Sequence, residues 1–243
     1  MGCTMDKLKV YCLPYAGGTK RAYAEWEDKF ADIAEIIPLE YNGHGELYGE
    51  PFYSSADEAV DDLCNRIMKD KPLHYIVYGH SFGSMLAVLV AEKLEQVYQH
   101  APKAVIIGGM RPMHLKYKDR ALRNLPKDEV MKAIYDMGQT SEEIMNEPEL
   151  VDLIYEIIYN DLVIDETYVY EEDKHNRLNV PLVVMTGLQD REAPMEDMEE
   201  WKKYTNSRFY IKQFDSDHFF LFNCDEFDGY FESLLKKASF NML

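Results

Sequence analysis

The chain has 243 residues and a mass of 28.4 kDa, and 47% of its residues are hydrophobic, which is enough for one sizeable core. Its formal net charge of −18 argues against a nucleic-acid partner, because phosphate binding needs clustered Lys and Arg. No apolar run approaches the roughly 18 residues of a membrane span, and the first six residues hold no apolar signal region. We therefore expect a cytoplasmic protein with no membrane partner, and we take it to be a monomer.

The cysteines are scattered along the chain and form no C-x-x-C pair. They are Cys3, Cys12, Cys64 and Cys224. In a chain of this length such cysteines are typical of buried or free thiols. The sequence therefore indicates neither a disulfide framework nor a zinc site.

The first predicted strand covers residues 8–13 and leads into a loop at residues 14–19 that contains a proline and two glycines. This composition is typical of backbone shaped for the close approach of another group, although a plain tight turn fits it as well. Serine hydrolases of the α/β type take one oxyanion N–H from an early loop of this kind. Given the serine motif described below, we interpret the loop as an oxyanion loop with the backbone N–H of Ala16 as donor.

Residues 20–32 predict a helix that packs its aromatic side chains on the core, because these recur at spacings of three and four. A second strand near residues 36–39 leads into a glycine-containing loop that includes His44, which we interpret as an ordinary loop residue. A further helix is predicted at about residues 55–70, with acidic residues in its first turns.

The central motif is Gly79-His80-Ser81-Phe82-Gly83, which reads G-x-S-x-G. An apolar, β-branched and aromatic run precedes it, and small and apolar residues follow at helical length to about Gln99. The pattern alone occurs often by chance, but a strand before it and a helix after it indicate a nucleophile elbow. We predict Ser81 as the nucleophile and the N–H of Phe82 as an oxyanion donor.

A strand near residues 104–107 continues the alternation of strands and helices, which predicts a mostly parallel sheet with helices on both faces. The alternation then stops, and residues 111–174 show helical patterns at 126–137, 141–145 and 149–170. About 60 helical residues are too many for an ordinary crossover. We predict one domain over residues 1–243 with an inserted helical lid, although ordinary core helices would explain the same apolar residues one by one.

Within that insertion, residues 111–132 carry a local charge excess of +4. The basic residues are Arg111, Lys116, Lys118, Arg120, Arg123, Lys127 and Lys132, and the acidic ones are Asp119, Asp128 and Glu129. The cluster is either a solvated surface or a docking patch for an acidic partner or a phosphate-bearing substrate arm.

The last two predicted strands, near residues 180–186 and 209–214, lead directly to Asp190 and His218. Both residues lie beyond the carboxyl ends of strands, where the sites of open α/β sheets assemble. The order Ser81, Asp190, His218 is the triad order of α/β-hydrolases. His218 would accept the proton of Ser81, and Asp190 would orient the imidazole. Asp165, in the helical insertion, is the alternative acid.

Taken together, these motifs resemble the type II thioesterases, the stand-alone editing hydrolases of nonribosomal peptide and polyketide synthases. Similar residues occur along nearly the whole chain: 13–18 with Tyr23 and Trp26, 43–46 with Glu50-Pro51, 79–83, 108–112, 161–170, Gly187 with Asp190, and 218–221. Two positions depart from the family pattern. The family usually has Pro-Gly-Arg-Gly where this chain has Asn42-Gly43-His44-Gly45, and it often has Met in place of Phe82.

The resemblance implies an α/β-hydrolase fold and a substrate acyl group held as a thioester on the phosphopantetheine arm of a carrier domain. It implies hydrolysis through an acyl-enzyme on Ser81, oxyanion donors at Ala16 and Phe82, and no metal or redox cofactor. Because carrier domains tend to be acidic, we expect Lys116, Lys118, Arg120 and Arg123 to contact them. Two alternatives stay open: a carboxylesterase or lipase with the same triad, and a non-catalytic binding protein of the same fold.

Overall fold

A computed structural model describes residues 7–115, 121–138 and 140–243 of the chain. In this part of the chain, six strands form one fully parallel sheet in the order β2-β1-β3-β4-β5-β6. The strands are β1 (Leu8–Leu13), β2 (Ala34–Pro38), β3 (Tyr75–His80), β4 (Val105–Gly108), β5 (Leu182–Gly187) and β6 (Phe209–Phe214). The predicted parallel sheet is confirmed.

Most of the helices lie between successive strands, and the last two follow the final strand. They are α1 (Ala24–Lys29), α2 (Ala56–Asp70), α3 (Phe82–Gln96), α4 (Lys127–Asp136), α5 (Glu142–Met145), α6 (Pro148–Thr167), α7 (Met195–Met198), α8 (Phe220–Asn223) and α9 (Asp225–Ser239). There are also 3-10 turns at Lys20–Tyr23, Gly45–Leu47, Leu122–Asn124, Glu172–Lys174 and Glu199–Tyr204.

The side chains of the four inner strands, β1, β3, β4 and β5, alternate between two buried layers. In β3, Tyr75 and Val77 pack with α2 and α3 on one face, whereas Ile76 and Tyr78 pack with α1 and α9 on the other. Both faces of a parallel sheet must be covered, which explains why these strands read as continuous apolar runs. The prediction of helices on both faces is confirmed.

The helix predicted at residues 20–32 is shorter than expected, and the helical segment between β5 and β6 is short as well. Residues 20–32 form a 3-10 turn followed by the six-residue α1, and residues 194–204 form the four-residue α7 followed by a 3-10 turn. In the second case tertiary contacts favour the tighter turn: the fully buried Trp201 lies in it and donates its indole N–H to the carbonyl of Met110 at 2.7 Å. Such contacts outweigh helical periodicity over so short a segment.

Between β4 and β5, the described residues form α4, α5 and α6, within the segment predicted as a lid. Of these, α4 and α6 share a small core with the preceding 3-10 turn, made of Leu122, Val130, Ala133, Ile134, Ile158 and Leu162. The insertion therefore packs partly on itself rather than only on the sheet.

Two negative expectations from the sequence concern membrane segments and cysteine pairing. Among the described helices, none is both long and apolar enough to span a bilayer. Cys12, Cys64 and Cys224 are free thiols, and Cys3 lies outside the described residues.

Candidate active site

Ser81 occupies a strained backbone conformation between β3 and α3. Its φ of 52° and ψ of −124° lie in a region that side-chain-bearing residues rarely adopt. A Cβ atom at Gly79 would overlap the carbonyl oxygen of Gly83, and one at Gly83 would overlap the carbonyl of Leu13. Both glycines of the G-x-S-x-G pattern are therefore required for the turn to close.

The turn is held in place by a buried hydroxyl that sequence analysis missed. Ser84 Oγ lies 2.8 Å from the carbonyl oxygen of Gly108 and 3.0 Å from that of Gly79, and it accepts the N–H of Gly108 at 3.1 Å. The N–H of Ser81 also donates to Gly108, at 2.7 Å. The elbow is thus tied to the end of β4. A serine within the otherwise apolar first turns of α3 was the available signal.

Asp190 and His218 meet beyond the ends of β5 and β6. Asp190 Oδ2 lies 2.9 Å from His218 Nδ1, and the two side chains are 0% and 8% exposed. The second oxygen, Oδ1, accepts the N–H groups of Glu192 and Ala193 at 2.9 and 3.2 Å. Burial by itself would raise the pKa of Asp190, but the hydrogen bond and charge of His218 and the N–H of Glu192 lower it below its usual value.

This contact sets the chemistry of the imidazole. An ionised carboxylate can only accept, so the Nδ1 of His218 carries the proton and Nε2 is left as the basic nitrogen. The two loops are also joined to each other, since the N–H of Leu188 donates to Phe214 at 2.8 Å and that of Gln189 donates to Ser216 at 3.0 Å. The Asp190–His218 contact is therefore formed between two loops that are hydrogen-bonded to each other.

His218 lies at the same end of the sheet as the elbow. The ring of His80, the residue next to Ser81, is 5.2 Å from the ring of His218 between centroids. Within residues 7–115, 121–138 and 140–243, no hydrogen bond joins the Ser81 hydroxyl to His218. Catalytic hydrogen bonds are often long in the absence of substrate and shorten when it binds. His80 is fully buried, and desolvation together with the nearby His218 lowers its pKa well below the usual value, which keeps it neutral.

The alternative acids and bases have other partners. Asp165 lines a separate cavity near Met85. Asp215 accepts the side-chain N–H of Gln189 at 2.9 Å, and Asp217 accepts the N–H of Phe219 at 2.8 Å. Among the other described histidines, His100 contacts the carbonyl oxygen of Pro72, His114 contacts Tyr204, and His175 contacts Glu92.

The predicted oxyanion loop forms a tight turn at residues 15–18, which we call the oxyanion turn. The N–H of Gly18 donates to Tyr15 at 2.8 Å, and Gly17 has a φ of 73°, as the third position of a type II turn requires. Ala16 is the second residue of this turn.

Close packing brings the oxyanion turn to the elbow. Because Gly83 lacks a side chain, its Cα packs directly on the carbonyls of Leu13 and Pro14, so the chain entering the turn lies against the start of α3. The hydroxyl of Tyr41 donates to Pro14 at 2.8 Å and fixes that segment further. The turn that contains Ala16 and the N-terminus of α3, where Phe82 lies, therefore occupy one end of the sheet.

A second buried Asp–His pair lies next to the oxyanion turn, and sequence analysis did not find it. Asp161, on α6, accepts the N–H of Gly17 at 2.7 Å through Oδ2, and the same oxygen lies 2.9 Å from His44 Nε2. The two side chains are only 4% and 1% exposed. The one sequence signal was an aspartate within the apolar stretch of residues 157–164.

Two cavities adjoin this end of the sheet. One of about 980 Å³ opens between the loops of Asp190 and His218 and the described residues of the α4–α5 segment. A smaller one of about 220 Å³ is lined in part by Met85, Met110, Met113 and Tyr168. Met85 is one helical turn beyond Ser81 on α3, so this cavity, which charged side chains also line in part, begins close to the elbow.

The predicted carrier-binding residues Lys116, Lys118 and Arg120 lie outside the described residues. The fourth, Arg123, is partly exposed and lies 3.6 Å from Glu166. The other described cations of the segment also have acidic neighbours: Arg111 with Asp197, Lys127 with Asp152, and Lys132 with Asp136. Much of the charge of the described cations is thus balanced locally.

A comparison with known families matches the thioesterase domain over residues 8–238, which is nearly the whole chain. The chain belongs to the thioesterase domain family. It is an enzyme of the hydrolase class with the α/β-hydrolase fold, as the sequence predicted.

Individual thioesterase-family proteins are similar along most of their length. The protein named linear gramicidin dehydrogenase LgrE, from Brevibacillus parabrevis, is 26% identical over 218 residues, which cover 88% of this chain and 82% of that protein. The medium-chain S-acyl fatty acid synthase thioesterase of Rattus norvegicus is 26% identical over 224 residues, covering 90% and 83%. The crystal structure of ClbQ, from the colibactin NRPS/PKS pathway, superimposes with a TM-score of 0.83 at 27% identity and 98% coverage of both chains.

Proposed function

We propose that this thioesterase hydrolyses acyl groups from the phosphopantetheine arm of carrier domains, with Ser81, His218 and Asp190 as its catalytic triad. The observation that carries the triad is the buried contact between Asp190 and His218 beside the elbow of Ser81. This arrangement supplies a nucleophile, a base and a group that orients the base, which serine catalysis requires.

In the proposed reaction, Ser81 Oγ attacks the thioester carbonyl carbon while His218 Nε2 takes the hydroxyl proton. The N–H groups of Ala16 and Phe82 stabilise the oxyanion of the tetrahedral intermediate. The carbon–sulfur bond then breaks, and His218 returns the proton to the departing thiol. A water molecule, deprotonated by the same nitrogen, attacks the acyl carbon, the ester bond to Ser81 Oγ breaks, and His218 returns the proton to Ser81 as the carboxylic acid is released. Protein groups and water complete this cycle, so we propose no metal or redox cofactor.

The proposed substrate class follows the resemblance seen in the sequence and the names of relatives, which include an NRPS/PKS pathway protein and a fatty acid synthase thioesterase. We assign the acyl chain to the cavity beside Met85, because three methionines line it and it begins one turn from the nucleophile. The larger cavity beside His218 is the proposed path of the phosphopantetheine arm.

Carrier domains are the proposed partners, and the basic segment that contains Arg123 is the proposed contact. With a net charge of −18, the chain as a whole would repel an acidic domain, so local positive charge must guide the encounter. Of the proposed contact residues, Lys116, Lys118 and Arg120 have only the sequence as their support.

The test compares Ser81→Ala, His218→Ala and the double variant on acylated carrier protein, on the matched free acyl-pantetheine thioester and on the matched oxygen ester. We expect each single variant to lose at least about 10⁴-fold in kcat, and the double variant to be little worse, because the triad acts as a unit. Ser233→Ala and His74→Gln are the matched controls, since neither residue lies near the elbow.

Near-normal turnover by either single variant, with its fold retained, would reject the triad. Preference for the oxygen ester would favour a carboxylesterase or lipase. Hydrolysis of free thioesters without hydrolysis of the carrier-bound form would reject the carrier assignment and leave the thioesterase activity in place.

A further inference from the structure

The Asp161–His44 pair connects three segments that are far apart in the chain. Asp161 lies on α6 of the insertion, Gly17 lies in the oxyanion turn, and His44 precedes the 3-10 turn after β2. Asp161 Oδ2 accepts the Gly17 N–H at 2.7 Å and lies 2.9 Å from His44 Nε2. This single oxygen therefore attaches the insertion to the backbone that carries the proposed oxyanion donor.

The partners of His44 determine its protonation state. Nδ1 lies 3.0 Å from the carbonyl oxygen of Asn42, which can only accept, so this nitrogen carries a proton. Nε2 faces an oxygen of Asp161, so it must carry a proton as well if the carboxylate is ionised. With Asp161 ionised, both contacts are satisfied together only when His44 is an imidazolium. A neutral His44 ring can satisfy only one of the two contacts.

The surroundings hold this geometry in place. Arg66, on α2, donates to the side-chain oxygen of Asn42 at 3.0 Å and to the carbonyl of Glu40 at 2.7 Å. The rings of Tyr41 and Phe52 contact the imidazole edge-on. The charged and titratable groups around His44 are Asp161 on α6, Glu40 and Tyr41 before it in the chain, and Arg66 on α2.

The contact with Gly17 acts on the proposed active site through the backbone. Gly17 is the third residue of the oxyanion turn, and its N–H belongs to the central peptide, whose carbonyl comes from Ala16. A charged acceptor on that N–H fixes which way the peptide faces and how deep the turn lies against the elbow. Oxyanion stabilisation requires donors to be placed within a few tenths of an ångström.

We propose that Asp161, held by a protonated His44, is a positioning residue for the oxyanion turn, so that hydrolysis requires the His44 imidazolium. The inference rests on the proposed function, because the turn matters for catalysis only if Ala16 is an oxyanion donor. It deepens that function by giving the insertion a role beyond covering the substrate.

The proposal has a definite pH dependence. Burial would lower the pKa of His44, but the hydrogen bond and charge of Asp161 and the carbonyl of Asn42 raise it above 6.5. The imidazolium is therefore complete at pH values below 6.5 and is lost as the pH rises through the raised pKa. Turnover should fall on the alkaline side for this reason.

The experiment measures kcat and KM between pH 6 and 9 for the full-length wild type, Asp161→Asn and His44→Gln, with a free acyl-pantetheine thioester. We expect both variants to lose about 10–100-fold in kcat at pH 7, which is less than the loss of an oxyanion donor, with KM changed by less than about threefold. Glutamine does not titrate, so His44→Gln should also lack the alkaline fall in kcat. Asp152→Asn, an exposed acid on the same helix, and His74→Gln are the matched controls.

A second readout does not depend on activity. Imidazole resonances assigned to His44 should show a pKa above 6.5 in the wild type and a lower one in Asp161→Asn. A His44 that titrates below 6.5 in the wild type would overturn the proposal, even if Asp161→Asn failed to fold.

Unchanged kcat in both folded variants, or an alkaline fall that persists in His44→Gln, would also overturn it. Ser81→Ala separates this inference from the proposed function. If Ser81→Ala is inactive while Asp161→Asn is fully active, only the positioning role fails. If Ser81→Ala retains turnover, the proposed function itself fails.

Discussion

The molecule contains two buried Asp–His pairs at the same end of the sheet, and they are built differently. In the first, His218 contacts Asp190 through Nδ1, and the carboxylate also accepts two N–H groups from its own loop. In the second, His44 contacts Asp161 through Nε2 and a carbonyl through Nδ1, and the carboxylate accepts an N–H from Gly17, 144 residues away in the chain.

The difference shows how the same two side chains can serve different purposes. A histidine with one nitrogen bound to a carboxylate keeps a basic second nitrogen and can exchange a proton with substrate. A histidine with both nitrogens occupied by acceptors is a buried cation that holds segments together. In the first pair Asp190 orients an imidazole, whereas in the second His44 holds Asp161 in place.

The largest expected effect comes from Asp190→Asn, which keeps the size of the side chain but reverses the orienting contact. An amide can present its N–H to Nδ1 and stabilise the wrong tautomer, so we expect kcat to fall roughly 10³–10⁴-fold. Steady-state hydrolysis of an acyl-pantetheine thioester measures this loss. Asp215→Asn, on the neighbouring loop, should keep wild-type kcat. A loss smaller than tenfold in Asp190→Asn would argue that both pairs are structural.

The second prediction concerns the free energy of unfolding as a function of pH. The lowered pKa of Asp190 contributes stability that is complete above pH 3.8 and is lost as the pH falls through the lower folded value. The raised pKa of His44 contributes stability that is complete below pH 6.5 and is lost as the pH rises through the higher folded value. Urea denaturation from pH 3 to 9 should show both slopes.

His44→Gln should flatten the alkaline slope of that profile and leave the acidic slope unchanged. Asp190→Asn should do the opposite. If one substitution altered both slopes equally, the two pairs would be coupled, and the distinction drawn between them would be wrong.

The smallest effect is expected from Tyr41→Phe, which removes the hydroxyl bond to Pro14 but keeps the ring beside His44. A single buried hydrogen bond is worth about 1 kcal/mol, so the free energy of unfolding should fall by about that amount. Because the Gly17 contact with Asp161 is retained, kcat should stay within about threefold of wild type. If Tyr41→Phe lost as much kcat as Asp161→Asn, then every hydrogen bond that supports the oxyanion turn would matter equally.

Much of the molecule could be predicted from local sequence. The six strands are short apolar runs bounded by turn residues, and the structure has each of them within a few residues of its predicted position. The elbow was recognisable because Gly79 and Gly83 are needed wherever backbone passes this close. Asp190 and His218 were recognisable because each follows the carboxyl end of a predicted strand within four residues.

The Asp161–His44 pair could not be predicted in the same way. His44 looked like a residue of a glycine-containing loop, and Asp161 looked like one acid on a long helix of an acidic chain. Their meeting depends on how α6 packs over the sheet, and helical periodicity carries no information about that placement. Ser84 was hidden similarly, because its partner Gly108 belongs to the neighbouring strand.

By itself, the sequence determined where the strands lie along the chain, which glycines permit the elbow, and in what order the serine, the acid and the histidine occur. These follow from contacts between near neighbours and from the rule that parallel strands bring their carboxyl ends to one edge. Only the tertiary structure showed that Asp161 meets His44 and how many hydrogen bonds each ring nitrogen makes. The physical reason is that hydrogen bonds at about 3 Å depend on packing between segments more than 100 residues apart, which no local pattern encodes.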